Sequence, residues 1–561
     1  MSFTDPAKFE EWLSKLPGRD AVTVWAHNLA FDGTMIGLWD FLKSERAKLT
    51  DHTDQALPSF FCCRAYGRVF KFVDSLNIFR SSLATLGEVL KCPKLPMPAM
   101  EASDEEWLTY CKNDVLILEQ TICNWLRFVD EHQLGRPALT LAGQAWTAWK
   151  TRFLEHPVHV HCCEPALTLE RDAYYGGRVD CFFVGPWEEG PVEQLDVNSL
   201  YPSIMLAEDM PLALDRYHYL PTLNLLHRNI DERICAATVL IKSDVQVYPY
   251  RTGSRVIYPL GEFVTSLCGA ELVHAVKKGH VKKVYKLATY FRKPLFRKFV
   301  TELYAMRKVF KAENNTIYDR LTKLLMNSLY GKFGQRTPEW FPWSREAVCE
   351  LERLHSLKPG SLEILNAWAA CPAVFDQEYH HPETTARFMI RKDFGVVEVG
   401  VDLGEGVNSA PIISACITAA ARMRLNSLLK TAGNYNTLYC DTDSLFVIPE
   451  GKRRLELKGE IDPAELGKLK TEAVHEGLVI YCPKDYESRQ AVKRKGIRKS
   501  ARMLTGDTFE QEQWPSFKSL LKAGLPREYA VRTLQKKLRR KLESRDVGSD
   551  GWTTPKWIRA Q

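Results

Sequence analysis

Hydrophobic and polar positions alternate with two different periods along the chain, which predicts a mixed α/β protein. Near the N-terminus, residues 21–25 form a continuous apolar run that is typical of a buried strand. Residues 6–16 and 105–129 repeat apolar side chains at helical spacing, and both segments are predicted to be helices.

The rest of the chain repeats this alternation around short strands. Residues 193–197 predict a strand that is followed by a turn and a helix. Residues 295–333 predict two helices separated by a polar break at 313–316, and residues 411–429 predict an apolar helix. Residues 437–448 have the pattern of a strand, a tight turn and a second strand.

Length and composition indicate several packed modules of a soluble protein. The 561 residues exceed what one hydrophobic core usually serves. A hydrophobic fraction of 45% with 26% charged residues is typical of globular chains. Residues 336–402 are irregular and contain proline, so no element is predicted for them, and the basic C-terminus is predicted to form a small separate unit.

The net charge of +7 permits a polyanionic partner without requiring one. Basic residues cluster at 277–283, 493–499 and 536–541, although each cluster alone is more typical of a solvated face. The 15 cysteines include no CxxC pair, and residues 159–163 lack the second half of a zinc site. Reduced, buried thiols are therefore the better interpretation.

The chain carries no recognisable targeting or membrane segment. Residues 1–16 are acidic and polar, unlike a signal peptide or an Arg-rich transit peptide. No stretch reaches 18 apolar residues, so no membrane partner is expected. We expect a soluble, intracellular protein whose compartment the sequence does not name; association with a virus, a plasmid or mitochondria is compatible with it.

Two carboxylates, Asp441 and Asp443, stand two residues apart between apolar strands. Side chains at i and i+2 of a strand point the same way, so both could face one metal ion. The alternative is a simple turn, which aspartate also favours.

A third carboxylate, Asp196, ends a short predicted strand just before a helix that Asn198 or Ser199 could cap and whose first turn tolerates Pro202. Phosphoryl transfer from a triphosphate uses hard cations held by oxygen ligands from separate strands. Asp196 together with the later pair meets that requirement.

Lys323, Asn327 and Tyr330 fall at i, i+4 and i+7 of a predicted helix and form one stripe. The stripe offers a charge for phosphates, an amide, and a ring for stacking on a base pair. Arg307 on the preceding helix could add a second phosphate contact. A surface helix ending at Gly331 is the alternative for this segment alone, but chance does not readily place all three segments in one chain in this order.

These segments resemble family B DNA polymerases, and more narrowly their protein-primed branch. Residues 196–204 resemble motif A, 323–331 motif B and 439–444 motif C. The resemblance implies an α/β fold with mixed α+β modules: a right-hand polymerase of palm, fingers and thumb, preceded by an incomplete RNase H-like 3′-5′ exonuclease domain.

The resemblance also implies roles for individual residues. Asp196, Asp441 and Asp443 would be the catalytic metal ligands for two Mg²⁺ ions, with Mn²⁺ as a substitute. Tyr201 would be the steric gate against ribose, and Tyr330 would stack on the nascent base pair. The implied nucleotide-binding set is Tyr201, Arg307, Lys323, Asn327 and Tyr330.

Further motifs imply contacts with DNA. Residues 174–177 (YYGG) resemble the YxGG motif between the exonuclease and polymerase domains, and residues 417–422 resemble the helix behind motif C. Lys493 and Lys495 stand where a KxY motif is expected, although no tyrosine follows them. The implied DNA-binding set is Tyr174, Gly176, Gly177, Ser75, Leu76, Lys493 and Lys495.

The N-terminal part resembles an exonuclease domain that lacks one motif. Asn28 and Asp32 match NxxFD, and Tyr110 and Asp114 match YxxxD on one helix face. The DxE motif on the opening strand is absent, so a working exonuclease is not predicted. A start codon placed too late is the preferred explanation, and a truncated gene is the alternative.

Eight segments are predicted. They are 1–140, partial exonuclease; 141–190, linker with the YxGG motif; 191–207, palm; 208–287, an insertion resembling terminal-protein region one; 288–335, fingers; 336–400, an insertion resembling region two but longer; 401–505, palm; and 506–561, thumb with the basic C-terminus.

The expected partners are a DNA template and primer, deoxynucleoside triphosphates, and a terminal protein as primer. Two alternatives stay open. One is a family B polymerase that uses an ordinary nucleic-acid primer, and the other is a decayed copy that binds DNA without synthesis.

Overall fold

A computed structural model describes residues 5–44, 46–53, 59–253, 255–336, 339–342, 375–380, 387–393, 396–401, 408–513 and 532–559. The predicted insertion at 336–400 therefore lies mostly outside the described residues. Within it, four strands form an antiparallel sheet. In sheet order they are Glu339–Pro342, Val396–Val401, Arg387–Asp393 and Phe375–His380.

The N-terminal module is a four-stranded sheet with helices on its flanks. Val22–Ala26, the strand predicted at 21–25, lies at one edge and pairs in parallel with Arg68–Asp74. The long helix predicted at 105–129 spans Asp104–Glu131, and Ser103 and Glu106 form a capping box at its start. The remaining strands are Phe60–Ala65 and Lys48–Thr53; the remaining helices are Pro6–Ser14, Leu29–Met35, Leu38–Lys43, Leu83–Val89 and the 3₁₀ turn Ser75–Asn77.

A five-stranded antiparallel sheet, here called the central sheet, lies in the middle of the molecule. In sheet order its strands are Leu469–His475, Val192–Val197, Ser444–Val447, Thr437–Asp441 and Val179–Cys181. The strand–turn–strand prediction for 437–448 and the strand–turn–helix prediction for 193–207 are confirmed, since helix Leu200–Ala207 follows Val192–Val197.

A second five-stranded sheet, here called the lateral sheet, is built mainly from the segment predicted as an insertion. In sheet order its strands are Trp557–Ile558, Leu260–Cys268, Ile234–Ser243, Val281–Lys293 and Met210–Tyr219. Trp557–Ile558 comes from the far end of the chain and pairs with Leu260 and Gly261. The prediction of a separate C-terminal unit is therefore wrong for these last residues.

Helices fill the space between the two sheets. The apolar helix predicted at 411–429 spans Pro411–Ala432, is buried along most of its length and is here called the core helix. The two helices predicted within 295–333 are Arg297–Ala312 and Thr316–Ser328, here the helical pair, and the short helix Tyr330–Phe333 follows them. The other helices are Leu141–Ala148, Trp149–Phe153 (a π-helix), Glu164–Asp172, Leu223–Asn229, Gly269–Lys277 and Pro449–Leu457.

Short strands complete the described chain. They are Tyr250–Thr252 with Arg255–Ile257; Gly185–Pro186, Val479–Cys482, Asp485–Glu487 and Val492–Lys493; Arg502–Thr505, Thr508–Gln513 and Arg532–Lys537; and Arg545–Val547 with Thr553–Pro555.

The core helix is also long and apolar enough to cross a membrane by length and composition alone. Most of its apolar stretch is buried inside the molecule, as in the central helix of a globular protein. Among the described residues no other helix passes that test.

Candidate active site

Two predicted carboxylates meet at one end of the central sheet. Asp196 lies on Val192–Val197, directly opposite Ser444 of the neighbouring strand. The Val197 N–H donates to the Asp443 carbonyl over 2.7 Å. Asp443, which precedes Ser444, is thereby held beside Asp196.

The third carboxylate, Asp441, lies at the turn of the hairpin formed by strands Thr437–Asp441 and Ser444–Val447. The strand ends at Asp441, and Thr442 adopts a left-handed backbone with a φ of 61°. Asp441 and Asp443 are therefore not two same-side positions of one strand, and that part of the sequence argument is wrong. The Asp441 carboxylate accepts a hydrogen bond from the Tyr439 hydroxyl at 3.2 Å and lies 3.3 Å from Lys484 Nζ.

Burial works against the charges of this pair. It raises the pKa of Asp196 to about 7, with smaller contributions from the nearby charges of Asp443 and Glu472. Burial also raises the pKa of Asp443, and the charge of Asp441 adds to that effect. Two adjacent carboxylates that are costly to ionise are a setting in which a bound cation is strongly favoured.

Three lysines surround the carboxylates, and only one of them was predicted. Lys470 is the cross-strand partner of Asp196, with Nζ 4.0 Å from Oδ2. Lys484 approaches Asp441, as described above. Lys323 is the predicted one. Partial loss of hydration lowers the pKa of its ammonium group, and the positive charges of Lys470 and Arg307 lower it further. The sequence does carry a signal for Lys484, since residues 484–486 (KDY) have the KxY pattern that was predicted at Lys493.

The donor set suits a hard divalent cation bound in part by substrate. In the described part of the chain, no three His, Cys, Asp or Glu side chains converge as a preformed metal cluster. Mg²⁺ typically binds proteins through one or two carboxylates and takes its other ligands from phosphates and water. Asp196 and Asp443 fit that description better than a closed three-carboxylate cage.

The predicted helical stripe is present but is not uniform. Asn327 Nδ2 donates to the Lys323 carbonyl over 2.8 Å, within its own helix. Arg307 is buried, and its Nε donates to Asp319 Oδ1 over 2.6 Å. Tyr330 begins the short helix after the pair, and its ring centroid lies 4.2 Å from that of Tyr201. Tyr201 is thus brought from a different element to the same place.

Helix Leu200–Ala207 begins without the predicted side-chain cap. Ser199 takes the capping position with a φ of 54° and makes no capping hydrogen bond. The Asn198 side chain donates instead to the Glu465 carbonyl over 3.2 Å. Pro202 lies in the first turn of the helix, as predicted.

The segment Tyr174–Gly177 packs against the carboxylate turn. A Cβ added at Gly177 would lie 2.5 Å from Thr442 Oγ1, so only glycine fits there, whereas a Cβ at Gly176 would meet open space. The Arg178 carbonyl accepts a hydrogen bond from the Thr442 N–H at 2.7 Å. Tyr174 lies against Gly334, just after the short helix.

Lys493 and Lys495 are both exposed, Lys493 on strand Val492–Lys493 and Lys495 in the turn that follows it. Lys493 pairs in register with Tyr486 on the neighbouring strand. The ring of Tyr486 packs 6.0 Å from Tyr439, whose hydroxyl reaches Asp441. The structure therefore brings Lys484 and Tyr486 to the site.

The predicted exonuclease residues form a second cluster in the N-terminal module. The buried Asp74 carboxylate accepts backbone N–H groups of Asn28 and Leu29 at 3.2 and 2.9 Å, and of Leu76 at 2.9 Å. Ser75 Oγ lies 2.8 Å from His27 Nδ1. Burial raises the pKa of the neighbouring Asp32 carboxyl to about 6.

Lys94 closes this second cluster and was not predicted. Its Nζ contacts the Asp114 carboxylate and donates to the Tyr110 hydroxyl over 2.7 Å. Tyr110 and Asp114 do share a helix face, as predicted. Within the described residues, Val22–Ala26 pairs on one side only, so the sheet offers an open edge beside this cluster.

Comparison with known proteins agrees with this arrangement. Residues 100–339 match the family of DNA polymerases type B, organellar and viral. A probable DNA polymerase of Neurospora intermedia is 26% identical over 464 residues, which cover 79% of this chain and 43% of that protein. The DNA polymerase of Streptococcus phage Cp-1 is 24% identical over 509 residues, which cover 82% and 76%. The chain thus spans less than half the length of the Neurospora relative.

The fold matches a solved polymerase. Phi29 DNA polymerase in complex with primer-template DNA and incoming nucleotide superimposes with a TM-score of 0.59 at 18% identity, covering 88% of this chain and 86% of that one. The chain therefore has the right-hand polymerase fold with an exonuclease-type N-terminal module.

Proposed function

We propose that this chain, a relative of the organellar and viral type B DNA polymerases, is a template-directed DNA polymerase that adds deoxynucleotides to a primer. The observation that carries the proposal is the pair Asp196 and Asp443, held side by side at the end of the central sheet, with Lys323 within electrostatic reach of both. Nucleotidyl transfer needs carboxylates for hard cations and a lysine for the phosphates.

Asp196 and Asp443 would hold the divalent ions, Mg²⁺ by preference with Mn²⁺ as a substitute, and Asp441 would assist from the turn. When bound, such ions activate the attacking hydroxyl and balance charge on the leaving phosphates. The protein's own groups hold the carboxylates in position. The Tyr439 hydroxyl and Lys484 hold Asp441, while the hairpin backbone holds Asp443.

The triphosphate would lie between the carboxylates and the helical pair. Lys323 provides the charge nearest the metal ligands, and Arg307 is fixed in direction by its hydrogen bond to Asp319. The rings of Tyr201 and Tyr330 would form the floor under the incoming sugar and base. Burial raises the pKa of both phenols, so both stay neutral and act by shape and hydrogen bonding.

The DNA would run past the Tyr174–Gly177 segment, which touches both the carboxylate turn and the end of the short helix. Lys484 and Tyr486 would lie near the primer terminus, since they adjoin Asp441. Priming by a terminal protein is part of the proposal and is supported by the family resemblance of the motifs. Incubation with a candidate terminal protein should attach a nucleotide to a Ser, Thr or Tyr hydroxyl; extension of nucleic-acid primers only would favour the alternative.

Proofreading is not part of the proposed function. In the described N-terminal module, Lys94 already neutralises the Asp114 carboxylate and binds the Tyr110 hydroxyl. The DxE motif that the resemblance leads us to expect on the opening strand is also absent. We expect a primer with a mismatched 3′ end to persist in the presence of Mg²⁺.

The proposal is tested by single-nucleotide incorporation on a defined primer-template with Mg²⁺. Each of the four deoxynucleotides is offered alone opposite each template base. We expect extension only by the complementary nucleotide, and strong discrimination against the ribonucleotide. DNA binding with no incorporation in Mg²⁺ or Mn²⁺ would instead identify a decayed copy.

A further inference from the structure

The helix Gly269–Lys277, which directly follows strand Leu260–Cys268 of the lateral sheet, carries a carboxylate that the proposed chemistry does not use. Glu271 is fully buried, and its two oxygens accept hydrogen bonds from Arg422 Nε and Nη2, both at 2.7 Å. Arg422 lies on the core helix and is 2% exposed. Such a bidentate pair fixes the plane of the guanidinium group as well as its position.

The remaining nitrogen of Arg422 reaches the segment before the carboxylate turn. Nη1 donates to the carbonyl oxygens of Tyr175 and Gly176, both at 2.8 Å. The Tyr175 hydroxyl lies 3.1 Å from Thr265 Oγ1 of the lateral sheet. Thr265 of the lateral sheet, and Glu271 on the helix that follows that strand, therefore anchor this segment, Glu271 through Arg422.

The same segment also contacts the turn that carries Asp441 and Asp443. Gly177 lies so close to Thr442 that a methyl group would not fit between them, and the Arg178 carbonyl holds the Thr442 N–H. Thr442 stands between Asp441 and Asp443. A continuous series of short contacts thus runs from Glu271 through Arg422 and the Tyr174–Arg178 segment to the turn that carries Asp441 and Asp443.

We infer that Glu271 is a positioning residue for nucleotide incorporation: by orienting Arg422, it fixes the Tyr174–Arg178 segment and, through it, the turn that carries Asp441 and Asp443. The inference rests on the proposed function for its catalytic consequence. Its structural part does not, because the contacts can be tested without activity.

The primary variant is Glu271→Gln, which keeps the shape of the side chain and removes its charge. Single-turnover incorporation separates two explanations. A positioning role lowers the rate constant, by about tenfold or more, while the amplitude and the KM for the nucleotide change less than about twofold. A purely structural role lowers the amplitude and leaves the rate constant unchanged. The matched control is Glu262→Gln, on strand Leu260–Cys268 of the lateral sheet.

A second variant guards against misfolding of the first. Glu271→Leu combined with Arg422→Met removes both buried charges, which often leaves stability unchanged. The thermal unfolding midpoint should then stay near that of the parent, while the rate constant stays low because the two carbonyls have lost their donor. Recovery of the parent rate constant in the double variant would overturn the inference.

Amide hydrogen exchange tests the same contacts without catalysis. In Glu271→Gln, the Thr442 amide and peptides covering 174–178 should exchange about tenfold faster than in the parent. Unchanged protection there would refute the positioning role. If the parent incorporates no nucleotide at all, the proposed function fails, and the exchange measurement still decides the inference about Glu271.

Discussion

Burial raises the pKa of both Asp196 and Asp443, so it opposes the ionised form of each carboxyl. Ionisation of these carboxyls therefore lowers the stability of the metal-free protein. In the folded protein the pKa of Asp196 is raised from its ordinary value of 3.8 to about 7. The free energy of unfolding therefore falls as the pH rises through this range, because the unfolded chain releases the proton at a lower pH than the folded protein does. Nearby cations, whether metal ions or lysine side chains, offset this loss of stability.

Asp196→Asn should therefore stabilise the metal-free protein at high pH. In the presence of a chelator, we expect the variant to exceed the parent by about 1–3 kcal/mol at pH 8 and to match it near pH 4. Thermal unfolding at several pH values measures this. Asp462→Asn serves as the control: Asp462 is a half-buried turn residue outside the site, and an amide oxygen can accept the same two backbone hydrogen bonds. An advantage of equal size at every pH would contradict the assignment.

Lys470 should compete with a divalent ion for Asp196. Removing it leaves the carboxylates unbalanced, so DNA-free Lys470→Gln should bind Mn²⁺ about 3- to 10-fold more tightly, as expected for a Coulomb interaction of roughly 1 kcal/mol. Calorimetric titration measures the affinity. Lys468→Gln is the control, since Lys468 Nζ donates to the Gly459 carbonyl instead. Equal affinities in all three proteins would rule out the competition.

The sequence allowed the aspartates to be predicted because each stands in a short contiguous motif. Lys470, Lys484 and Lys94 were missed because their proximity depends on pairing with distant segments. Lys470 faces Asp196 only through the register of Leu469–His475 against Val192–Val197. No local pattern specifies that register.

At the scale of elements, the Tyr174–Gly177 segment packs directly against the turn that carries Asp441 and Asp443. Gly177 tolerates the approach of Thr442, whose left-handed backbone creates the turn. Local patterns predicted the hairpin, the core helix and the helical pair nearly to their ends. The lateral sheet was not predicted, because its strands pair across long separations and its fifth strand comes from the C-terminus.

Gly177→Ala should impair incorporation, since its Cβ would push the turn that carries the carboxylates. We expect the rate to fall by about tenfold or more and the free energy of unfolding to fall by about 1–3 kcal/mol. Gly176→Ala is the matched control, because its Cβ meets no atom within 4 Å. Adding Thr442→Gly should restore part of the lost rate, as it removes the clash and suits the left-handed backbone. Equal rates for the two alanine variants would show that the close approach is unimportant.

At the scale of the whole molecule, the modules are tied together by buried contacts. The helical pair meets the long N-terminal helix in an aromatic cluster, where Phe128 lies 5.0 Å from Tyr318 and 6.3 Å from Phe310. The N-terminal module thus supports the helical pair whether or not it degrades DNA. At the C-terminal end, Arg545 and Arg178 share the buried Asp180 carboxylate.

Arg545→Ala should loosen the C-terminal attachment. The side chain donates to Thr553 and to Gln246 Oε1, and those buried acceptors would lose their donor. Asp180 keeps Arg178, so the expected cost is only about 1–3 kcal/mol. Thermal unfolding should show a lower midpoint, while the exposed Arg559→Ala should behave as the parent. An unchanged midpoint would mean that the C-terminal residues do not stabilise the molecule.

The most direct test of the account is primer extension by Asp443→Asn and Asp196→Asn beside the parent, with Mg²⁺ and a defined primer-template. The parent should add complementary deoxynucleotides. Both variants should fold and bind DNA but incorporate more slowly by a factor on the order of 10³ or more, while Asp462→Asn should match the parent. Extension by either site variant at the parent rate would contradict the central claim that these two aspartates hold the catalytic metal ions.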